Sequence, residues 1–492
     1  MSWHNGDWLA ARARLSPERI ALVIARTQQR ITYREWNARA NRTAHWLRAQ
    51  GVGKGDRVAV LAKNSLEYLD LWFACGKLGA VLQTLSWRLT VRELGALLQK
   101  APPKILVHDT TVSAELPVER AIPWSELARA QEHPSTPIRV EVDAADPWVI
   151  CYTGGSTGLP KGALLTHGNL LANAVNTVSS WQLDANDVAI LNAPLFHVGG
   201  LSVLTAPLVL AGGTSIVCAG FDAAEVIDLC EHAGVTAFFG VPTMFLALCD
   251  EPRFASADLS RLKLVISGGA PCPDAIFACM HARGLPFRQG YGLTEAGPNT
   301  FWLPDAEIQQ KRGAVGYPLF GIDTRVVDST GAEVPTGTPG ELWIRGAHVF
   351  QGYLGDPEES ARTLEGGWLH TGDLAVVDTD GAYSIVGRLK DVIISGGENL
   401  YPAEIEGQLS THPSVAEVCV IGVPDPRWGE VARAVVVAKH PFDGAELLAY
   451  ARERLAKFKV PKDVVFVSEL PRTGAGKVDR RAIAAHHTET SK

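Results

Sequence analysis

A glycine-rich stretch in the first half of the chain has the residue types that can hold a polyphosphate. It reads YTGGSTGLPKGALLTHGNL from Tyr152 to Leu170, after a β-branched run and before a helical pattern. Glycines expose backbone N–H groups to an anion, and the hydroxyl groups and one ammonium group add further donors. The candidate donors are Thr153, Gly154, Gly155, Ser156, Thr157, Gly158 and Lys161. Lys161 is followed by glycine, whereas the lysine of the Walker A pattern is followed by Ser or Thr, so this is not a Walker A loop. Taken alone, the stretch could also be a structural turn.

Two further segments place a carboxylate where a nucleotide could use it. In QGYGLTEAGPN, Glu295 could bind Mg²⁺ together with phosphate oxygens, or it could simply complement the N-terminus of a helix. In WLHTGDLAVV, Asp373 could accept hydrogen bonds from two hydroxyl groups, or it could be a turn aspartate before a strand. Near the C-terminus, PRTGAGKVDR presents Lys477 behind two glycines, and an isolated lysine in a polar loop is usually only solvated.

Taken together, these segments resemble the adenylate-forming enzymes, which include acyl-CoA synthetases, adenylation domains of peptide synthetases, and luciferases. The family motifs occur in order from about Thr32 to Arg480. The resemblance implies an ATP-dependent carboxylic acid:CoA ligase. Such an enzyme makes an acyl-adenylate and pyrophosphate, then transfers the acyl group to CoA and releases AMP. ATP, Mg²⁺ and CoA would be required. Gly154 stands where the family usually has serine, which predicts a changed nucleotide affinity.

The resemblance also assigns roles to residues outside the phosphate loop. The catalytic residues would be Lys477, Glu295, Thr294 and His197, with Glu295 holding Mg²⁺ and Lys390 acting as the hinge between domains. Tyr291 would stack on adenine and Asp373 would bind the ribose hydroxyls. The remaining AMP-binding residues would be Gly269, Ala270, Pro271, Gly292 and Arg388.

The acyl pocket and the CoA site follow from two other segments of the resemblance. The pocket would be lined by His197, Val198, Gly199, Phe239, Gly240, Gly290 and Asn299, and CoA would contact Gly396, Gly397 and Trp428. His197 could instead be a core histidine, and Trp428 a buried structural tryptophan. The glycines leave room for a long or flat group, and the absence of Arg and Lys argues against a dicarboxylate. The segments look most like those of fatty-acid and aryl-acid (feruloyl- or benzoate-type) CoA ligases.

The elements that must position these residues indicate an α/β fold. Short β-branched runs alternate with amphipathic helices, which predicts mainly parallel sheets covered by helices. Thr32 and Glu35 form a capping box at the start of one such helix. From about 318 to 388 short strands and turns predict an antiparallel β region. The expected domains are 1–389, which binds AMP and the acyl group, and a small mobile α/β domain over 390–492.

Composition limits the alternatives. The chain has 492 residues, a net charge of -7 and no basic run, which argues against nucleic acid as a partner. Eight cysteines without C-x-x-C spacing predict free buried thiols in a reducing compartment, and no signal peptide is recognisable, so the expected location is cytoplasmic. The stretch 188–221 lacks charged residues, but its glycines and prolines favour a buried helix and strand over a membrane span.

Other functions stay open on sequence grounds. The acyl group could pass to a carrier protein or another acceptor, and a luciferase-like oxidase could use the same scaffold. A non-catalytic nucleotide or acyl sensor would be expected to have lost Lys477, Glu295 or Asp373, and all three are present. The sequence leaves a homodimer open and does not identify the acid.

Overall fold

The structure is a computed structural model, and it describes residues 7–109, 116–153, 160–472 and 478–487. The helices of the described part, in chain order, are α1 (Trp8–Leu15), α2 (Tyr33–Ala49), α3 (Leu66–Leu78), α4 (Val91–Lys100), α5 (Trp124–Leu127), α6 (His167–Trp181), α7 (Val198–Ser202), α8 (Thr205–Ala211), α9 (Ala223–His232), α10 (Pro242–Asp250), α11 (Asp274–Ala282), α12 (Pro357–Thr363), α13 (Pro402–Leu409), α14 (Gly444–Arg454) and α15 (Arg480–His487).

The strands are numbered in the same way. Those of the first half are β1 (Ile20–Ile24), β2 (Gln29–Thr32), β3 (Arg57–Leu61), β4 (Val81–Thr84), β5 (Ile105–His108), β6 (Ala121–Pro123), β7 (Pro147–Thr153), β8 (Lys161–Thr166), β9 (Val188–Leu191), β10 (Thr214–Val217) and β11 (Ala237–Gly240). The others are β12 (Leu264–Ser267), β13 (Phe287–Gln289), β14 (Phe301–Trp302), β15 (Tyr317–Pro318), β16 (Ile322–Val327), β17 (Gly340–Gly346), β18 (Gly352–Tyr353), β19 (Leu369–Val377), β20 (Tyr383–Arg388), β21 (Ile393–Ser395), β22 (Glu398–Leu400), β23 (Val415–Asp425), β24 (Gly429–Ala438) and β25 (Asp463–Val467).

Two seven-stranded sheets form the larger part of the molecule, as the alternation of strands and helices predicted. One has the order β13-β12-β11-β9-β10-β1-β2, and all its pairs are parallel except β1 with β2. The other has the order β18-β8-β7-β4-β3-β5-β6, with antiparallel pairs only where β8 meets β7 and β18. Strands such as β4 and β12 are buried at every position, because helices cover the parallel sheets.

An aromatic cluster joins the helices to the second sheet. Trp148 of β7 stacks on Trp72 of α3 at 5.5 Å and on His167 of α6 at 4.6 Å. The Trp148 indole N–H donates to the Trp72 carbonyl at 2.9 Å. Helix α3 approaches this ring through Gly76, where an added Cβ would lie 2.5 Å from the indole. Glycine is therefore required for the helix to pack this closely against the strand.

Two smaller sheets follow along the chain. Strands β16, β17, β19 and β20 form an antiparallel sheet in the order β16-β17-β19-β20, which confirms the predicted β-rich region. Its two hairpin turns contain Gly331 and Gly381 at φ of 82° and 86°. Strands β21 to β25 form a separate five-stranded sheet, with its own apolar core shared with α13 and α14.

The cysteine prediction was partly wrong. Cys249 of α10 and Cys279 of α11 form a disulfide, while Cys75, Cys151, Cys218, Cys230, Cys272 and Cys419 are free thiols. No sequence pattern indicates this pairing, because the two cysteines are 30 residues apart and meet only when their helices pack side by side.

The charge-free stretch 188–221 folds as β9, α7, α8 and β10. This confirms the expected buried helix followed by a buried strand. Across the described ranges, no helix combines the length and apolar character that a membrane span requires.

Candidate active site

The largest group of predicted site residues lies at one edge of the first sheet. Strands β9, β11, β12 and β13 run parallel, so their carboxyl ends meet at the same edge. Gly240 ends β11, and the segments that follow the other three strands contain His197 to Gly199, Gly269 to Pro271, and Gly290 to Thr294. Asn64, which follows β3 of the second sheet, donates to the Ala193 carbonyl and accepts from the Leu195 N–H, both at 2.8 Å, and so ties that sheet to this edge.

The ring of Phe239 lies between glycines of two neighbouring segments. A Cβ on Gly199 would be 3.3 Å from one edge of the ring, and a Cβ on Gly268 would be 3.1 Å from the other. A Cβ on Gly290 would lie 2.7 Å from the Ile266 side chain. His197 comes directly before α7 and its ring packs on Phe196 at 4.5 Å. The glycines therefore allow the half-buried Phe239 ring to pack directly against the backbone of both segments.

Asn299 is fixed at the far side of the turn that begins at Tyr291. Its amide nitrogen donates to the Thr177 hydroxyl and to the Val203 carbonyl, both at 2.9 Å, and its side chain is buried. The turn depends on Gly292, where a Cβ would lie 1.7 Å from the Pro298 carbonyl oxygen. Only glycine can occupy this position.

Tyr291, Asp373 and Arg388 meet as a hydrogen-bonded group. The Tyr291 hydroxyl donates to Asp373 Oδ2 at 2.7 Å, and Arg388 Nε lies 2.9 Å from Asp373 Oδ1. Asp373 of β19 and Arg388 of β20 are directly paired across the antiparallel sheet, which explains their contact. Burial and the Asp373 carboxylate raise the pKa of Tyr291 well above its usual value, so this hydroxyl remains a donor.

Glu295 faces Tyr353 of β18. The Tyr353 hydroxyl donates to Glu295 Oε1 at 2.8 Å, and Glu295 is buried in the short turn Thr294–Ala296. Burial, followed by the Glu295 charge, raises the pKa of Tyr353. Among the described residues, no donor reaches the second oxygen of Glu295. This oxygen can therefore be one ligand of a cation whose other ligands are phosphate oxygens. The carboxylate therefore fits Mg²⁺.

Lys161 begins β8, directly after the predicted phosphate loop, and its ammonium group pairs with Glu359 of α12 at 2.5 Å. Thr153, at the end of β7, is the Cα partner of Lys161 across the two strands. The structure thus brings the two ends of the loop together.

The residues predicted to form the hinge and to contact CoA lie in and before the last sheet. Lys390 lies in the turn Leu389–Asp391, where partial desolvation of its ammonium group and then the charge of Arg388 lower its pKa. Gly396 has φ of 60°, and a Cβ there would lie 2.5 Å from the Trp428 ring. Gly397 follows at φ of 89°, and the Trp428 side chain is 41% exposed. The tryptophan is therefore available to a ligand, and the reading of it as a buried structural residue is wrong.

Gly154, Gly155, Ser156, Thr157, Gly158 and Lys477 lie outside the described residues. Arg472 and Val478, the described residues on either side of Lys477, pair with each other in an isolated antiparallel β-bridge.

Sequence reasoning missed Tyr353 and Glu359. Both lie in the stretch GYLGDPEES, where Asp356 caps α12 by accepting from the Glu359 N–H at 3.2 Å. The aspartate–proline start of a helix was a recognisable signal. Their contacts with Glu295 and Lys161 depend on β18 pairing with β8 nearly 200 residues earlier, which no local pattern indicates.

Two family models match this chain. One, described as AMP-binding enzyme, covers residues 9–354, and the other, AMP-binding enzyme C-terminal domain, covers residues 404–477. This chain is an AMP-binding enzyme. The match confirms the predicted membership of the adenylate-forming acyl-CoA synthetases, and with it the prediction of a ligase that uses ATP and Mg²⁺.

Relatives of this AMP-binding enzyme extend over nearly its whole length. It is 46% identical to a feruloyl-CoA synthase of Amycolatopsis sp., covering 96% of this chain and 97% of the relative. It is 38% identical to an indoleacetate–CoA ligase of Aromatoleum aromaticum, covering 98% of both chains.

Solved structures support the same fold. ATP-bound MatB from Rhodopseudomonas palustris superimposes with a TM-score of 0.92 at 34% identity over 100% of both chains. Apo MatB from the same organism gives a TM-score of 0.81, covering 99% of both chains.

Proposed function

We propose that this AMP-binding enzyme is an aryl acid:CoA ligase. The enzyme activates the carboxylate of an aromatic acid by forming a bond from a carboxylate oxygen to the α-phosphorus of ATP, and pyrophosphate leaves. The sulfur of CoA then attacks the acyl carbon and AMP leaves. The products are an acyl-CoA, AMP and pyrophosphate.

The half-buried Phe239 ring carries the choice of an aromatic acid. Gly199 and Gly268 flank the ring, and a side chain at either position would crowd it. The accessible part of the ring suits a planar group that stacks on it or lies beside it. Feruloyl-CoA synthase and indoleacetate–CoA ligase are named for aromatic acids, which supports the same choice.

The nucleotide residues divide the work of the first step. The Asp373 carboxylate, already oriented by Arg388 and Tyr291, would accept hydrogen bonds from the ribose hydroxyl groups. Thr294 and Lys161 would face phosphate oxygens, and Lys477 would stabilise the charge that develops at the α-phosphate. Glu295 would hold Mg²⁺, which would supply charge neutralisation of the polyphosphate.

A substrate panel tests the proposal. We would measure pyrophosphate release from ATP with acetate, octanoate, palmitate, benzoate, ferulate, indoleacetate and succinylbenzoate, each with and without CoA. Steady, CoA-dependent turnover that is fastest with an aromatic acid is the expected result. Preference for a fatty acid would contradict the acyl assignment. A single CoA-independent burst would mean that the acyl acceptor is another molecule.

The Gly199→Ala variant tests the role of the Phe239 ring directly. The added methyl group would lie 3.3 Å from the Phe239 ring and narrow the space beside it. We expect kcat/KM for ferulate to fall about tenfold, the scale of one methyl group in a tight pocket, with the KM for ATP unchanged. The control is Gly220→Ala, because a Cβ there meets nothing within 4 Å.

Three broader assignments belong to the same proposal. The cytoplasm is the expected location, since the enzyme needs ATP and CoA. The hinge at Lys390 is supported by its place between β20 and the separate last sheet, and the domains 1–389 and 390–492 follow from it. A homodimer stays a prediction that size-exclusion chromatography with light scattering would check.

A further inference from the structure

Lys161 is held by a carboxylate that the nucleotide-binding motifs do not include. Its ammonium group lies 2.5 Å from Glu359 Oε1, and the two side chains are only 15% and 18% exposed. An ion pair so shielded from water is stronger than one on the surface. The lysine predicted to bind polyphosphate therefore already has a strong anionic partner.

The fold fixes this carboxylate firmly in place. Glu359 lies in the first turn of α12, and Asp356 caps that helix by accepting from the Glu359 N–H. The second carboxylate oxygen of Glu359 accepts from Arg362, whose side chain is 74% exposed. Glu359 thus lies between a shielded lysine and a solvated arginine.

The segment that contains Glu359 also contacts Glu295, the predicted Mg²⁺ ligand. Tyr353, six residues before Glu359, donates to Glu295 at 2.8 Å, and the Lys161 ammonium group lies 5.1 Å from the centre of the Tyr353 ring. The Tyr353 backbone N–H is fixed by the Ser360 hydroxyl of α12 at 2.8 Å. One short segment, β18 with α12, therefore contacts both the predicted metal-binding carboxylate and the phosphate-loop lysine.

We propose that Glu359 is a positioning residue that competes with polyphosphate for the ammonium group of Lys161. The proposal rests on the assignment of Lys161 to the polyphosphate site. An incoming ATP or pyrophosphate must share the Lys161 ammonium group with Glu359, or it must displace the Glu359 carboxylate toward Arg362. Glu359 thus weakens the binding of both, and it favours the departure of pyrophosphate after adenylation.

Glu359→Gln removes the charge and keeps the shape. We expect MgATP and Mg-pyrophosphate to bind about three- to tenfold more tightly, the scale of one partly shielded charge interaction. Arg362→Gln should have the opposite effect, because Glu359 then has Lys161 as its remaining cationic partner among the contacts described above. Binding is measured by isothermal titration calorimetry, which needs neither the acid nor CoA. In steady state, Glu359→Gln should lower the KM for ATP and leave the KM for the acid unchanged.

Two matched variants complete the test. Glu358→Gln makes the same charge change on the same helix at an exposed position, and it should leave both affinities unchanged. In a Lys161→Gln background, Glu359→Gln should lose its effect. Weaker or unchanged binding in Glu359→Gln would overturn this inference while wild-type MgATP binding still supports the proposed function. A wild-type protein that binds no MgATP would overturn both.

Discussion

At the scale of single residues, His348 is a clear case of a buried polar side chain that lacks hydrogen bonds to other described residues. It is fully buried between β17 and β18, and neither ring nitrogen has a hydrogen-bond partner among the described residues. A Cβ added at Gly346 would lie 2.7 Å from His348 Nδ1, so the space around the imidazole ring is tight. Burial lowers the pKa of His348 from its usual 6.5 to about 4.

This lowered pKa predicts a pH-dependent stability. Between pH 6.5 and pH 4 the unfolded chain binds a proton at this residue that the folded chain does not. Its contribution to stability is therefore complete above pH 6.5 and is lost as the pH falls through that window. The difference in pKa corresponds to about 3 kcal/mol in the free energy of unfolding. Urea denaturation at pH 7.5, 6 and 5 would measure this loss.

His348→Leu should reduce that pH dependence, because leucine cannot bind the proton. The exposed His440→Leu is the control and should keep the wild-type slope. An unchanged slope in His348→Leu would show that other groups cause the loss of stability at low pH.

The residue scale also shows what sequence could give. Tyr291, Asp373 and Arg388 were predicted as nucleotide ligands from three separate motifs, and the structure brings them into contact. Their mutual hydrogen bonds could not be foreseen, because these depend on the register of β19 with β20. Glu359 and Tyr353 were missed for the same reason, since their partners are fixed by pairing between strands far apart in the chain.

At the scale of elements, the close approach of α3 to β7 makes a strong prediction. In an exposed helix, Gly→Ala stabilises by about 1 kcal/mol, because alanine has the better helix propensity. At Gly76 the new methyl group would lie 2.5 Å from the fully buried Trp148 ring. We expect Gly76→Ala to destabilise by about 1–3 kcal/mol, the usual effect of overpacking a core. Calorimetric melting would measure it.

The matched control is Gly95→Ala in α4. There the nearest atom to a new Cβ would be Pro117 Cδ at 3.7 Å, an ordinary contact. This variant should be more stable than wild type by about 0.5–1 kcal/mol. Equal stabilisation by both variants would mean that Trp148 can move aside at little cost.

Elements differed in how well local sequence predicted them. Helix α2 begins at the capping box of Thr32 and Glu35 that the sequence indicated, because capping is a contact between near neighbours. The parallel strands with β-branched runs were also predictable. Strands β4 and β13 were not, since they are short and are stabilised as strands by their neighbours, β3 and β7 for the first and β12 for the second.

At the scale of the whole molecule, the family resemblance predicts that the placement of the C-terminal domain selects which half-reaction can occur. The chain superimposes better on ATP-bound MatB than on the apo form, with TM-scores of 0.92 and 0.81. Its arrangement is therefore closer to that of the ATP-bound relative. The family resemblance predicts that the C-terminal domain rotates after adenylation and replaces Lys477 with the CoA-binding residues.

Two substitutions in that domain should consequently affect opposite half-reactions. Lys477→Ala should slow adenylation by about 10²–10³, the effect of removing one group that stabilises transition-state charge. Thioester formation from preformed acyl-adenylate should change little. Trp428→Ala removes an exposed ring beside Gly396, so the KM for CoA should rise about tenfold while CoA-independent pyrophosphate release is maintained. Single-turnover quench experiments separate the two rates. If either variant slowed both half-reactions equally, a single fixed arrangement of the domains would serve both steps and no rotation at Lys390 would be needed.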